Sequence, residues 1–449
     1  MYESFTPIPS ARAYPLVGNL PELARDPITF FLDTRRTHGD TFRYQLGPRT
    51  VYFVAHPDDV KHVLQDNYIN YRKHSAYDKI RPLVGDGLLT SEGESWLKNR
   101  RLAQPVFHRQ RIGTFAEMMT EETLNMMERW RRFKPKEPFD LLPEMMRLTL
   151  TVVGRSLFSK DIGGESDKIG AALTFALHHA NARTLQLLDL SHLPTPSNVR
   201  FNRAVRTLDD LVYSLIAERR TSNKDEGDLL SMLLHAKDAD TGESMSDRQL
   251  RDEVMTLFLA GHETTANALS WLFYLLSKHA LVTQKLFNEL DSVLGRRTAT
   301  LEDAPALTYT RQVIDEGLRL YPPAWLIGRQ ALRDDRVGGA FIPAGSDVAV
   351  SPLVTQRHPE FWSNPEGFDP ARFNPEYSKQ RHRFAYFPFG GGPRVCIGNN
   401  FALLELTLTL ATVLQRFELH LASGYPVEPH AGITLRPKNG VFMTLKRRG

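Results

Sequence analysis

A single cysteine, Cys396, falls in the run Phe389-Gly390-Gly391-Gly392-Pro393-Arg394-Val395-Cys396-Ile397-Gly398, just ahead of a predicted helix. Three glycines in a row make a tight loop whose backbone can approach a flat ligand closely and present N–H groups to it. At a helix N-terminus the partial positive charge favours thiolate over thiol. Arg394, two residues earlier, can hold an anionic group, and Phe389 can shield the sulfur from water. Alone, such a loop is as readily a glycine-rich turn around an inert thiol. The rest of the chain must decide.

Three further spacings bear on chemistry. Glu316 and Arg319 stand three apart on one helix face, where a buried acid and guanidinium can share charge-assisted hydrogen bonds. An isolated pair of that kind is ordinarily a surface ion pair. In Leu257-Phe258-Leu259-Ala260-Gly261-His262-Glu263-Thr264-Thr265, the small Ala260 and Gly261 leave room on one helix face for a ligand close to the backbone. Thr264 follows Ala260 by four residues and can bond its carbonyl, loosening the helix locally. The bland alternative is a solvent-facing Glu-Thr pair. Trp96 and Arg100, four apart, can both donate hydrogen bonds to a carboxylate, although such a pair is more often packing. His178, His179 and His262 have no partner at metal-binding spacing, and core or surface roles are expected for them. No phosphate loop, dinucleotide fingerprint or nucleophile elbow appears.

Periodicity supplies the elements that position these residues. Residues 41–56 alternate around Gly47-Pro48 and read as a hairpin. β-rich parts are expected near 41–70, 325–351 and 418–449, a helical body near 96–320, and a final helix near 397–416. Long helices, short strands and no regular βαβ alternation argue for one mainly α domain with small β-sheets over 1–449. A hydrophobic fraction of 41% and a charged fraction of 24% exclude a disordered chain. A net charge of +4 is too small to argue for nucleic acid as a partner. One cysteine excludes an intramolecular disulfide and any multi-thiolate zinc or iron–sulfur site, and it fits a reducing compartment. No signal peptide is read at the N-terminus, and no apolar run approaches the roughly 18 residues of a spanning helix. A soluble, cytoplasmic protein without a membrane span is expected.

The string F-x-x-G-x-R-x-C-x-G resembles the haem-thiolate loop of the cytochrome P-450 family at every defining position. The other motifs follow in that family's order through most of the chain. The resemblance implies a large helical domain with a minor β-rich subdomain, of the soluble bacterial kind. It implies haem b, with Cys396 as the axial ligand of the iron and Phe389 and Gly398 flanking the sulfur. Trp96, Arg100, Arg329 and Arg394 would donate to the haem propionates. Arg372, in Asp369-Pro370-Ala371-Arg372-Phe373, would join Glu316 and Arg319 in a structural triad fixing the cysteine loop. The groove at Ala260 and Gly261 would receive O2, with Thr264 and Glu263 delivering protons.

Thiolate ligation favours O–O cleavage. The implied reaction therefore inserts one oxygen atom from O2 into a C–H bond, or epoxidises an alkene, and releases the other atom as water. Electrons would come ultimately from NAD(P)H, through a separate ferredoxin or flavodoxin type donor and its reductase, since no part of the chain is left over for a flavin domain. The basic residues Lys98, Arg101, Arg109 and Arg111 would dock that donor, or else form an ordinary solvated face. The substrate would be a small apolar molecule of the fatty acid, terpenoid or steroid class, and the ITLRPKNG stretch has the texture of fatty-acid-hydroxylase branches. By analogy the pocket is lined by Tyr77, Phe175, Leu185, Leu257, Ala260, Trp325, Leu326 and Ile433. A monomer is expected. Two rivals remain: a haem-thiolate peroxygenase or hydroperoxide isomerase, which generally alters the acid–threonine pair intact here, and a non-enzymatic haem sensor or carrier.

Overall fold

The computed structural model describes residues 8–134, 136–159, 166–184, 191–222, 224–238 and 240–448. Helix α1 (Pro27–His38) starts on a proline, and Asp26 caps it by accepting the Thr29 N–H at 3.1 Å. Strands β1 (Thr41–Leu46) and β2 (Arg49–Val54) form the expected antiparallel hairpin. The expected β-rich stretch ends there. Residues Pro57–Lys61 are helical and run into a wide π-turn, His62–Asp66. Pro57 presets the first helical φ, and Asp58 and Asp59 complement the helix dipole, which outweighs the strand texture.

After β3 (Tyr71–Lys73) the chain becomes helical, with α2 (Gly93–Ala103), α3 (Ala116–Trp130), a short β4 (Phe139–Asp140), α4 (Leu141–Phe158), α5 (Ser166–Thr184) and α6 (Pro196–Ser222). The longest helix, α7 (Asp247–Lys278), opens on a capping box between Ser246 and Gln249 and runs unbroken through Ala260 and Gly261. At 1.5 Å per residue it spans about 48 Å. It packs against α4, α6 and two later helices, α9 and α10. Fully buried Leu148 and Leu157 from α4 and Leu250, Leu269 and Phe258 from α7 share one apolar core with Leu408 and Leu410 of α10. Burying a leucine or phenylalanine contributes roughly 1.5–3 kcal/mol. This core is what holds α7 rigid under the site.

Helices α8 (Ala280–Leu294) and α9 (Thr308–Leu320) precede the strands β5 (Ile327–Ala331), β6 (Asp335–Val337), β7 (Ala340–Ile342) and β8 (Asp347–Val350). The main sheet has the order β1-β2-β8-β5-β3, with β2 and β8 parallel and the other pairs antiparallel. Alternate residues of β2 enter different clusters, Tyr52 and Val54 on one side, Val51 and Phe53 on the other. Both faces of the sheet are therefore covered.

Short turns occupy the proline- and glycine-rich stretch that follows, and α10 (Asn399–Leu414) begins three residues after Cys396. Strands β9 (Phe417–Leu421), β10 (Pro429–Ala431), β11 (Leu435–Pro437) and β12 (Phe442–Arg447) follow it. β12 pairs with β9 and β4, and β10 with β11. Gly392 packs its α-carbon onto the π-turn. A β-carbon there would lie 1.9 Å from the Leu64 carbonyl oxygen, and its φ is +66°. Only glycine satisfies both conditions. Among the described residues, no helix is long and apolar enough to cross a membrane.

Candidate active site

A cavity of about 330 Å³ lies between α7 and the cysteine loop, within the size range of small-molecule sites. Cys396, Phe389 and Gly398 form part of its wall, as do Leu257, Ala260, Gly261 and Thr264 of α7. The Cys396 N–H donates to the Phe389 carbonyl at 2.9 Å, closing the loop that presents the sulfur. Burial pushes the Cys396 thiol above its ordinary value, against the pull of the Gly398 N–H and the Arg100 charge. The Gly398 N–H at the helix terminus thus pulls toward thiolate, in the direction the sequence reading gives. A coordinated metal ion does so outright.

On α7, the Thr264 hydroxyl donates to the Ala260 carbonyl at 2.6 Å, as its spacing foretold. Ala260 and Gly261 keep this wall open. The missing Gly261 side chain also admits α4, because a β-carbon would meet Val153 at 2.9 Å. Glu263 turns the other way. It does not line the main cavity but a small crevice with His178, Asn181, Ile433 and Arg436. Its carboxylate accepts from the Thr434 hydroxyl at 2.8 Å, and that oxygen in turn accepts from Asn267 at 3.2 Å. Burial pushes the Glu263 carboxyl up, against the Thr434 hydrogen bond and the Arg436 charge.

The cationic end of the cavity gathers Trp96, Arg100, Arg329 and Arg394. Arg100 donates to the Val395 carbonyl at 2.9 Å, and Arg329 is buried beside Tyr77. Arg394 lies over the Trp96 ring, 5.2 Å from its centroid, and forms a two-pronged ion pair with Glu92 at 2.8 and 2.5 Å. Its Nε is buried without a hydrogen-bond partner. Lys73, which the sequence did not single out, joins this group and donates to the Leu88 and Ser91 carbonyls at 3.1 and 2.6 Å. Burial pulls the Lys73 ammonium down to about 7. For Glu92, burial raises the carboxyl, but Arg394 and the Lys73 backbone N–H outweigh it and hold it below the ordinary range.

This donor set fits haem b. One sulfur faces a cavity wide enough for a flat group, cations cluster where two propionates need partners, and a buried guanidinium N–H lacks an acceptor. Cys396 would hold the iron, and Trp96, Arg100, Arg329, Arg394 and Lys73 the carboxylates.

The triad assembles as expected. Arg319 reaches Glu316 with two hydrogen bonds, at 2.6 and 2.8 Å, and both residues are fully buried. Arg372 Nε lies 3.3 Å from the same carboxylate. Arg319 also donates to the carbonyls of Gln356, Pro365 and Gly367, tying α9 to the stretch that leads into the cysteine loop.

The pocket expectations divide. Tyr77, Leu257 and Ala260 line the cavity. Trp325 does not, because its indole N–H donates to the Gly432 carbonyl at 2.7 Å and its ring packs near Phe31. Leu326 belongs to that same cluster beside the sheet. Phe175 lies under Arg200, 4.1 Å from the guanidinium carbon, and Ile433 borders the Glu263 crevice. Leu185 lies outside the described residues.

A family model described as Cytochrome P450 matches residues 8–443. The chain is 38% identical to cyclooctatin synthase of Streptomyces melanosporofaciens, over 94% of this chain and 92% of the relative. It is 33% identical to pentalenene oxygenase of Streptomyces avermitilis, over 94% and 93% of the two chains. A crystal structure of the cytochrome P450DA heme domain superposes with a TM-score of 0.91 at 31% identity, covering 99% of this chain and 98% of that one. A sulfur-presenting loop, a threonine-notched central helix and a buried acid–arginine triad now stand in one fold with those likenesses. The chain belongs to the cytochrome P450 family. It is an oxidoreductase that incorporates oxygen from O2, with haem b as cofactor.

Glu92 and Lys73 escaped the sequence reading for different reasons. Glu92 stands just ahead of α2, four residues before Trp96 and eight before Arg100, and its extended backbone takes it off the helical repeat that links the other two. Lys73 sits in a short strand with no spacing to mark it.

Proposed function

We propose that this enzyme is a terpenoid monooxygenase that hydroxylates or epoxidises a cyclic, mostly hydrocarbon substrate. One observation carries the reading: apart from its cationic residues the cavity wall is mostly apolar, with Leu88, Leu89, Val153, Leu229, Leu257 and Ile327. Such a wall orients a hydrocarbon by shape and excludes water, and it offers no ionic anchor for a free carboxylate along α7. The named relatives are terpenoid oxygenases, which favours this class over fatty acids and steroids. The ITLRPKNG texture does not outweigh them, because Ile433 and Thr434 border the crevice rather than the cavity.

Haem ligated by the Cys396 thiolate supplies oxygen activation, one atom entering the substrate and the other leaving as water. The protein's own residues do the rest. Thr264 keeps its hydroxyl oxygen on the cavity wall and passes a proton at that atom. Glu263, one residue earlier and held by Thr434, stores a proton more readily than an exposed carboxylate. Electrons arrive from a separate ferredoxin or flavodoxin type donor, for which the exposed Arg109 and Arg111 offer a positive docking point.

The test combines spectra and turnover. The reduced carbon monoxide complex should show the long-wavelength band that gives the family its name, and Cys396→Ala should abolish it. Cyclic terpenes should shift the resting spectrum at lower concentrations than fatty acids or steroids do; the reverse order would sink the terpenoid reading. Thr264→Ala should divert most reducing equivalents to peroxide. Unchanged coupling would remove the proton-handling role.

A further inference from the structure

Glu92 is an acid in a place that gathers cations. Lys73, Arg100, Arg329 and Arg394 converge at one end of the cavity, and Glu92 does not itself line the wall. It occupies the N-cap position of α2, yet its side chain caps no N–H of that helix. The carboxylate instead accepts from Arg394 Nη1 at 2.8 Å, Arg394 Nη2 at 2.5 Å and the Lys73 backbone N–H at 2.6 Å. A glutamate that forgoes its own helix end for this geometry is placed by the arginine. Helix α2 is thereby bound to the cysteine loop at two points, through Glu92 to Arg394 and through Arg100 to the Val395 carbonyl.

We propose that Glu92 is a positioning residue that sets the charge balance around the haem carboxylates, by engaging the Nη edge of Arg394 and fixing that guanidinium at the cavity wall. The charge consequence is separable from the geometric one. Two propionates set against three arginines leave an excess of positive charge, to which Lys73, pulled down to about 7, adds only part of a charge, and Glu92 reduces that excess. A fixed negative charge favours the more positive oxidation state of a nearby metal, and the Glu92 side chain, 31% exposed, is only partly screened by solvent. Glu92 therefore lowers the reduction potential of the resting enzyme. This inference rests on the cofactor assignment and is independent of the substrate class.

Four forms of the full-length holoenzyme test it: wild type, Glu92→Gln, Glu92→Asp and Glu92→Gln with Arg394→Gln. The midpoint potential is read by spectroelectrochemical titration, and the carbon monoxide band confirms that the thiolate ligand is intact. Glu92→Gln should raise the potential, changing the ratio of reduced to oxidised protein at fixed potential about tenfold, which is about 59 mV for one electron. Glu92→Asp keeps the charge and shortens the reach, so its potential should stay near wild type while its melting temperature falls. The double variant removes both charges and should return the potential to wild type. An unshifted potential in Glu92→Gln overturns the proposal, as does an equal shift in Glu92→Asp. If Glu92→Gln fails to load haem, the double variant decides: a wild-type potential supports the charge balance, and a raised one overturns it.

Discussion

Glu253 lies on α7 three turns before Thr264, fully buried, with one carboxylate oxygen lacking a hydrogen-bond partner. Burial pushes its carboxyl up to about 7, against the Leu88 N–H that it accepts at 3.1 Å. The unfolded chain ionises this group near the ordinary value of 4.5. Its protonated form therefore contributes stability below that pH, and the contribution is lost as pH rises through about 7. Glu253→Gln, neutral at every pH, should gain on wild type by about 1–3 kcal/mol between pH 5 and pH 8 in denaturant titrations. A constant gap would show that Glu253 is ionised throughout. At this scale the legible residues were those whose chemistry is written in spacing, such as Cys396 beside its glycines, Thr264 after Ala260, and Glu316 before Arg319. Trp325 misled because a buried indole must find an acceptor, and the acceptor nearest to it was Gly432 rather than a ligand.

Between elements, the cysteine loop depends on segments far from it in sequence. Gly392→Ala forces a β-carbon against the Leu64 carbonyl at a positive φ. The variant should lose haem loading, with the carbon monoxide band weakened or shifted to shorter wavelength, while far-ultraviolet dichroism stays close to wild type. Retention of the full band would mean that the π-turn moves aside freely. Glu316→Gln leaves the fully buried Arg319 without its counter-charge and should cost about 3–5 kcal/mol, visible as a lowered melting temperature and poor haem retention. The hairpin at 41–54 and the final helix were readable because period and turn residues agree there. The helical turn at 57–66 was not, since the strand texture before it runs straight into Pro57. The crevice that holds Glu263 was invisible, because it arises only when α5 and the β10–β11 hairpin meet across 252 residues, Asn181 accepting the Ile433 N–H.

For the whole molecule, a small net charge conceals an uneven distribution. Lys98 and Arg101, expected to dock a donor, are already paired with Glu243 at 2.5 Å and with Asp238 at 2.9 Å, and Asp240 also engages Arg101. Arg109 and Arg111 stay exposed. Reversing both to glutamate should slow electron transfer from an acidic ferredoxin at low salt, by about tenfold or more, and the difference should fade as ionic strength rises. Reversing Lys98 and Arg101 should instead lower the melting temperature by releasing Asp238, Asp240 and Glu243. If the two pairs of reversals act alike, this division of labour is wrong. The braces on the sulfur also constrain the order of assembly. Arg100 and Glu92 reach the cysteine loop across 295 and 302 residues of chain. Contacts so distant in sequence close late in folding. On a growing polypeptide, α7 can meet α4 and α6 before the thiol emerges, whereas its contacts with α10 wait, like the supports of the sulfur, for the C-terminal residues. A chain arrested short of Cys396 should therefore be colourless, loosely packed along the α10 face of α7 and open to proteolysis around α2.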